Sequence, residues 1–261
     1  MINQVKLGLL VFLHPRSPAA VYSNPLSLPT NVLARVLNGG LTVADRIWPR
    51  PNAICNVCGR ASRRFGYATA ISVHAFRADD ICLHCRSNHR TRTLLRILGE
   101  HVDFSSGKTM TVADAGAAKC TRRYFERFPR VRYLTVDRYK DSDVVSDLTE
   151  IQLPDASVDV VICCHTLEHV RDYRKAIQEL YRILKPGGAG IVAVPQSEHL
   201  PQSRRERNET FYGYGHLWEF GQDFAAALAD AGFSVHTTNA PPAAAGSRSG
   251  EFLPYHVVHK S

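Results

Sequence analysis

The feature that most constrains this chain is the alternation of strand and helix signals that begins after Gly107. Met110 to Ala113 reads as a strand, Lys119 to Phe128 as a helix, and Val131 to Val136 as a second strand ending at Asp137. Val158 to Cys164 is an almost continuous apolar run, the pattern of a central strand buried on both faces. Asp172 to Leu184 sets Ala176, Ile177, Leu180, Tyr181 and Leu184 on one helical face. Lys185-Pro186-Gly187-Gly188 then stops that helix, because proline cannot continue it and glycine readily takes the cap geometry. Ala189 to Val194 follows as a strand, Asp223 to Ala231 as a helix ended by Gly232, and Tyr255 to His259 as a last strand. Strands and helices in this order predict an α/β fold, a Rossmann-like, doubly wound and mostly parallel sheet with helices on both faces.

The sequence before this block is of another kind. Residues 1–50 are rich in proline and small residues before a helix expected around Asn31 to Leu37, and no function attaches to them. The short apolar stretch Leu7 to Leu13 is far below the ~18 residues that span a bilayer. Its thin charged flank and unconvincing cleavage site favour a docked strand or interface-lying segment over a signal peptide. Residues 51–90 carry two cysteine pairs and little helical periodicity, and from His89 a helix is expected through Leu94, Leu95, Ile97 and Leu98 to Gly99. The expected organisation is an extension (1–50), a cysteine segment (51–90), a linker helix (91–108) and the α/β domain (109–261).

Cys55-Asn56-Val57-Cys58 and Cys82-Leu83-His84-Cys85 are separated by twenty-three residues. Two such knuckles supply four thiolates to one tetrahedral ion, and Gly59 helps the first turn close. The gap is slightly longer than usual for a zinc ribbon. Two disulfides or independent core cysteines are the alternatives, and His84 and His89 are spare ligands. A closed set of four thiolates predicts a structural Zn2+ rather than a catalytic one. The seven cysteines are odd in number, and Cys163-Cys164 lie side by side on an expected buried strand, which does not resemble a disulfide framework. A reducing, cytoplasmic setting is expected.

The formal charge of +8 is unevenly placed. Residues 50–96 hold nine arginines against Asp79 and Asp80, a balance of +7, whereas residues 97–261 sit at −2 with nineteen basic and twenty-one acidic groups. The arginines mark an anionic partner such as RNA, or else pair with acidic groups of the α/β domain.

The runs VADAGAAK, YLTVDRY and LPDASVDVVICCHTLEHV, followed by LYRILKPGG, resemble the class I S-adenosylmethionine-dependent methyltransferases over about half the chain. The resemblance extends to a subgroup in which a two-knuckle zinc segment and an Arg-rich helix such as HRTRTLLRIL precede that domain, with YGHLWEFGQDFAAALADAGF in the C-terminal stretch. It implies that Asp114 and Gly116 form the cofactor loop, that Asp137 accepts the ribose hydroxyls, and that Asp147 with Leu148 contacts adenine. The loop departs from the family pattern: Asp114-Ala115-Gly116-Ala117-Ala118 keeps one glycine of three. Such a loop leaves a non-catalytic, zinc-dependent binding protein as an alternative.

Methyl transfer to an oxygen requires a base. His165, at the carboxyl end of the central strand, is the first candidate for that role and for contact with cofactor or substrate. His216 and Tyr214 lie on a loop expected to close over the acceptor, whereas His169 is expected to be structural. The leading expectation is methyl transfer to a small molecule or saccharide at oxygen, and the competing one is an RNA acceptor gripped by the arginine-rich segment.

Overall fold

An eighteen-residue helix, α1 (Thr30–Ile47), is the first element of the computed structural model, which describes residues 30–47, 53–62, 64–70, 75–206, 215–239, 251–252 and 254–261. The Leu7 to Leu13 stretch, Arg63 and Tyr214 fall outside these residues. The helix expected around Asn31 to Leu37 runs on through Gly39 and Gly40, against the low helix propensity of glycine. Tertiary anchoring accounts for the extension. The buried Asn38 side chain accepts from Tyr67 N at 2.7 Å and donates to Tyr67 O at 3.0 Å, so its amide imitates a neighbouring strand.

The strands β1 (Ala53–Ile54) and β2 (Ala61–Ser62) pair antiparallel, as do β3 (Gly66–Ala70) and β4 (Ala75–Ile81). These elements and α1 form one unit, which ends at His89. The second unit starts at Arg90, within helix α2 (His89–His101). That helix buries Leu94, Leu95, Ile97 and Leu98 as expected but continues two residues beyond Gly99.

The second unit continues with β5 (Met110–Ala115), α3 (Thr121–Phe125), β6 (Val131–Asp137), β7 (Val144–Val145) and β8 (Val158–Cys164). A single 3₁₀ turn (Leu167–His169) precedes α4 (Tyr173–Ile183), β9 (Leu184–Ala193), β10 (Gln196–Ser197), β11 (Arg204–Arg205) and β12 (Trp218–Glu219). The chain closes with α5 (Phe224–Asp230), β13 (Ser234–Asn239), β14 (Glu251–Phe252) and β15 (Pro254–His259).

Seven of these strands make one sheet in the order β13-β15-β9-β8-β5-β6-β7. The five from β9 to β7 are parallel, whereas β15 runs antiparallel to both β9 and β13. The expected Rossmann-like, doubly wound sheet is therefore present. The apolar run Val158 to Cys164 is β8, residue for residue, with Val161 and Cys163 fully buried. Asp172 caps α4 by accepting from Lys175 N at 3.0 Å, and that helix buries Tyr173, Ala176, Ile177, Leu180 and Ile183 against the sheet. Burying a side chain of Leu or Ile size contributes about 1.5–3 kcal/mol, so this face fixes the helix.

Two elements of the second unit differ from their expected bounds by more than two residues. The helix over Lys119 to Phe128 shrinks to the five residues of α3. The strand expected from Ala189 begins at Leu184: Leu184 pairs with Val158 and Ala189 with Val160, leaving residues 185–188 as a bulge. Gly187 sits there at φ +75°, and its N–H donates to Lys260 O at 2.8 Å.

Candidate functional site

Strand order reverses at β5, which has β6 on one side and β8 on the other. In open parallel sheets the crevice for ligands lies at this point, outside the carboxyl ends of the strands. Gly116, immediately after β5, adopts φ +73°, and a Cβ there would lie 2.2 Å from Thr166 Oγ1. The Thr166 hydroxyl lies 3.1 Å from Ala115 O and 3.2 Å from Cys164 O, so it ties together the loops that leave β5 and β8. The one glycine between Asp114 and Ala118 thus stands where conformation and space require it. Thr166 was not singled out in the sequence, because its effect depends on a residue fifty positions away.

Asp114 is buried on β5 and accepts a 2.6 Å hydrogen bond from Tyr133 Oη on β6. Burial pushes its pKa up to about 7, against the lowering effect of the Tyr133 hydroxyl. The bond ties β5 to β6 two residues before Gly116. Asp137 stands half-buried at the carboxyl end of β6, where its backbone carbonyl accepts from Ser146 N at 3.0 Å. Asp147 is exposed one residue beyond, and its Oδ1 accepts from Thr149 N at 2.8 Å and Thr149 Oγ1 at 2.7 Å. These two bonds hold the Asp147 carboxyl below its ordinary value. The neighbouring Leu148 side chain is buried in the hydrophobic core.

At the end of β8 the chain turns sharply. His165 has φ +53°, a left-handed conformation that is strained for a residue with a Cβ, and its N–H donates to Ala193 O at 2.8 Å. The turn brings His165 Nδ1 within 3.4 Å of Glu168 Oε1. Glu168 is 1% exposed. Burial alone would raise its pKa, but the hydrogen bond and charge of His165 and the charge of His169 outweigh it, so the net direction is down. The second carboxylate oxygen, Oε2, is buried without a hydrogen-bond partner.

The segment around His216 returns to this turn from forty-eight residues downstream. Leu217 N donates to Glu168 O at 2.7 Å, and Trp218 Nε1 donates to Val170 O at 3.0 Å. Trp218 also packs edge-on against Tyr173, with ring centroids 4.9 Å apart. His216 consequently meets His169 with ring centroids 4.9 Å apart, and His169 Nδ1 lies 3.3 Å from Gly215 O. The structure therefore gathers His165, Glu168, His169 and His216. Glu168 is the member that the sequence undervalued, although its i, i+3 spacing from His165 was visible.

In the other unit, the sulfur atoms of Cys55, Cys58, Cys82 and Cys85 all lie within 4.8 Å of one another. Cys55 and Cys85 are 3.7 Å apart, and Cys58 and Cys82 are 3.8 Å apart. A disulfide would bring sulfurs to about 2.0 Å, and all seven cysteines are free thiols. A tetrahedral ion with metal–sulfur bonds of about 2.3 Å has edges of about 3.8 Å, so the cluster has the dimensions of a zinc site. The knuckles are built alike: Gly59 N donates to Cys55 O at 2.7 Å, and Arg86 N to Cys82 O at 2.9 Å. The residue after each second cysteine, Gly59 or Arg86, has φ near the left-handed region, +70° or +66°. The spare histidines are not in the cluster, and His89 Nδ1 instead pairs with Asp80 Oδ1 at 2.6 Å.

The arginine-rich segment is partly occupied. Arg92 is buried, Arg96 pairs with Glu100 at 2.5 Å, and Arg64 lies over the Tyr67 ring, whereas Arg60 and Arg86 are exposed. No helix among the described residues is long and apolar enough to cross a membrane.

A family model described as a methyltransferase domain matches residues 104–192. The chain is 41% identical over 66 residues to a "Probable S-adenosylmethionine-dependent methyltransferase" of Mycolicibacterium smegmatis, covering 25% of this chain and 24% of that protein. It is 32% identical over 108 residues to the "Probable S-adenosylmethionine-dependent methyltransferase Rv3030" of Mycobacterium tuberculosis, covering 41% of this chain and 34% of that one. The chain thus spans about a quarter to a third of the length of these curated relatives. Among solved structures, a 1,6-didemethyltoxoflavin-N1-methyltransferase of Burkholderia thailandensis has a similar fold. That structure shows 16% identity, covers 92% of this chain and 93% of its own, and has a TM-score of 0.50. The second unit has the fold of the class I S-adenosylmethionine-dependent methyltransferases, and residues 104–192 are the part that matches a methyltransferase-domain model.

Proposed function

We propose that the chain is an S-adenosylmethionine-dependent methyltransferase acting at oxygen on a small-molecule or saccharide acceptor, with a structural Zn2+ on Cys55, Cys58, Cys82 and Cys85. The observation that carries this reading is the switch-point crevice, where Gly116 leans on Thr166 and Asp137 stands at the end of β6. Backbone at Gly116 leaves room for a ligand that a side chain would exclude. Asp137 would accept the ribose hydroxyls, and Asp147 and Leu148 would border the adenine, with Asp147 preset by Thr149. Asp114 acts through Tyr133, by tying β5 to β6 two residues before Gly116.

When bound, S-adenosylmethionine supplies a methyl carbon on a positively charged sulfur. The protein aligns the acceptor and removes its proton where the accepting atom is a hydroxyl oxygen. His165 takes that proton, and the buried Glu168 carboxylate beside it stabilises the imidazolium that forms. This pair is the support for an oxygen acceptor, since a nucleophile that bears no proton would not need it. The sulfur–sulfur spacing supports zinc, and the absence of an open position in a four-thiolate set supports an architectural role.

The test is transfer of isotopically labelled methyl from S-adenosylmethionine to panels of hydroxylated small molecules, saccharides and RNA. Label in a small molecule or saccharide supports the proposal, and replacement of His165 by Ala should then lower kcat by about 10²–10⁴-fold. Label in RNA alone, with salt-sensitive binding weakened by Arg60→Ala, would replace it with the RNA reading. The absence of any S-adenosylhomocysteine binding would leave only the non-catalytic one.

A further inference from the structure

We propose that Glu168, His169 and His216 form a second metal site that takes a divalent transition ion of the zinc, cobalt or manganese class. One carboxylate oxygen and one ring nitrogen from each histidine all lie within 4.8 Å of one another. Bonds of about 2.0–2.2 Å to a common ion require these atoms to draw in by about an ångström. Two imidazoles and a carboxylate are a donor set for zinc or another first-row ion, not for calcium or magnesium.

The carboxylate gives the second, independent sign. Glu168 is 1% exposed, its Oε1 faces His165 at 3.4 Å, and its Oε2 has no hydrogen-bond partner. An unpartnered oxygen of a buried carboxylate is costly, and coordination of a cation removes that cost. The histidine geometry agrees. With Nδ1–H of His169 donating to Gly215 O at 3.3 Å, the lone pair of Nε2 is free for a metal. Metal-bound histidines characteristically donate their other ring N–H to such a carbonyl. Leu217 N and Trp218 Nε1 bond the His216 segment to the turn that carries Glu168 and His169, so only the side chains need close on an ion.

Three protein ligands leave at least one coordination position open, as catalytic rather than structural sites do. An acceptor hydroxyl in that position would have its pKa lowered by the ion. This role rests on the methyl-transfer reading, whereas the site itself does not.

Cobalt substitution tests it on the full-length chain. The metal-free protein is titrated with Co2+ and metal per chain is counted, while absorption distinguishes sulfur-to-cobalt charge transfer at the cysteines from binding at nitrogen and oxygen. The expected uptake is about two equivalents for the wild type, one with and one without the thiolate band. His216→Ala and Glu168→Gln should each remove the equivalent that lacks the band, and Cys58→Ser the other. The exposed-side variant His216→Ala guards against a loss caused by misfolding of the buried Glu168 variant. Uptake of one equivalent, all of it with the thiolate band and unchanged by His216→Ala, would overturn the proposal. S-adenosylhomocysteine binding is measured separately on the same protein, so failure of the methyl-transfer reading registers on a different signal.

Discussion

Replacement of Gly116 by Ala probes the crevice at the point where two loops touch. The backbone there is left-handed at φ +73°, which costs a residue with a Cβ about 1–2 kcal/mol. The new methyl would also lie 2.2 Å from Thr166 Oγ1 and 2.7 Å from Cγ2, so Thr166 must move away from Ala115 O and Cys164 O. The hydroxyl has one hydrogen to share between these two carbonyls, so losing that bond is worth about 1 kcal/mol. The expected destabilisation is about 2–3 kcal/mol, read from urea unfolding followed by circular dichroism. Thr166→Ala alone forfeits only its shared hydroxyl bond, about 1 kcal/mol. In the double variant the two closest atoms, Oγ1 and Cγ2, are gone, so its loss should fall short of the sum of the single losses by about 1 kcal/mol. S-adenosylhomocysteine affinity should drop in Gly116→Ala and partly recover in the double variant. Additive losses, or a Gly116→Ala protein as stable as the wild type, would refute the claim that Thr166 braces the cofactor loop.

Asp137→Ala should weaken S-adenosylhomocysteine binding about 5- to 150-fold by calorimetry, corresponding to about 1–3 kcal/mol for loss of a charged hydrogen-bond partner. Asp114 carries a pH signature. Its folded pKa is about 7 against an ordinary 3.8, so across that window the folded protein keeps a proton that the unfolded chain has released. Stability therefore falls as pH rises from about 4 to 7, and Asp114→Asn, which can still accept from Tyr133, should flatten that slope in denaturation profiles. Chelation of zinc should increase hydrogen exchange at the amides of residues 53–62 and 80–88 and leave β8 protected. Equal protection with and without chelator would argue against a structural ion.

The parts of the fold most legible in the sequence are those whose environment is uniform along the chain. The run Val158 to Cys164 is buried on both faces, so its residues are apolar throughout and β8 matches it residue for residue. The cysteine knuckles were legible because their chemistry is local, each pair within four residues. By contrast, β13 (Ser234–Asn239) was not anticipated: it is an antiparallel edge strand whose residues Ser, Val, His, Thr, Thr and Asn are half-buried or exposed and show no apolar alternation. The length of α1 depends on the Asn38 clamp to Tyr67, a contact across twenty-nine positions. The histidine and glutamate cluster was hidden for the same reason. His165, Glu168 and His169 are close in sequence, but what leaves Glu168 Oε2 buried beside two imidazoles is the return of residues 215–218 to that turn.

The central claim is that the crevice at the carboxyl ends of β5, β6 and β8 holds S-adenosylmethionine. Isothermal titration of the full-length chain with S-adenosylmethionine and S-adenosylhomocysteine tests it most directly. The expected result is saturable binding of one molecule per chain, weakened by Asp137→Ala and by Gly116→Ala. No binding to the folded wild-type protein, or binding that both substitutions leave unchanged, would contradict it.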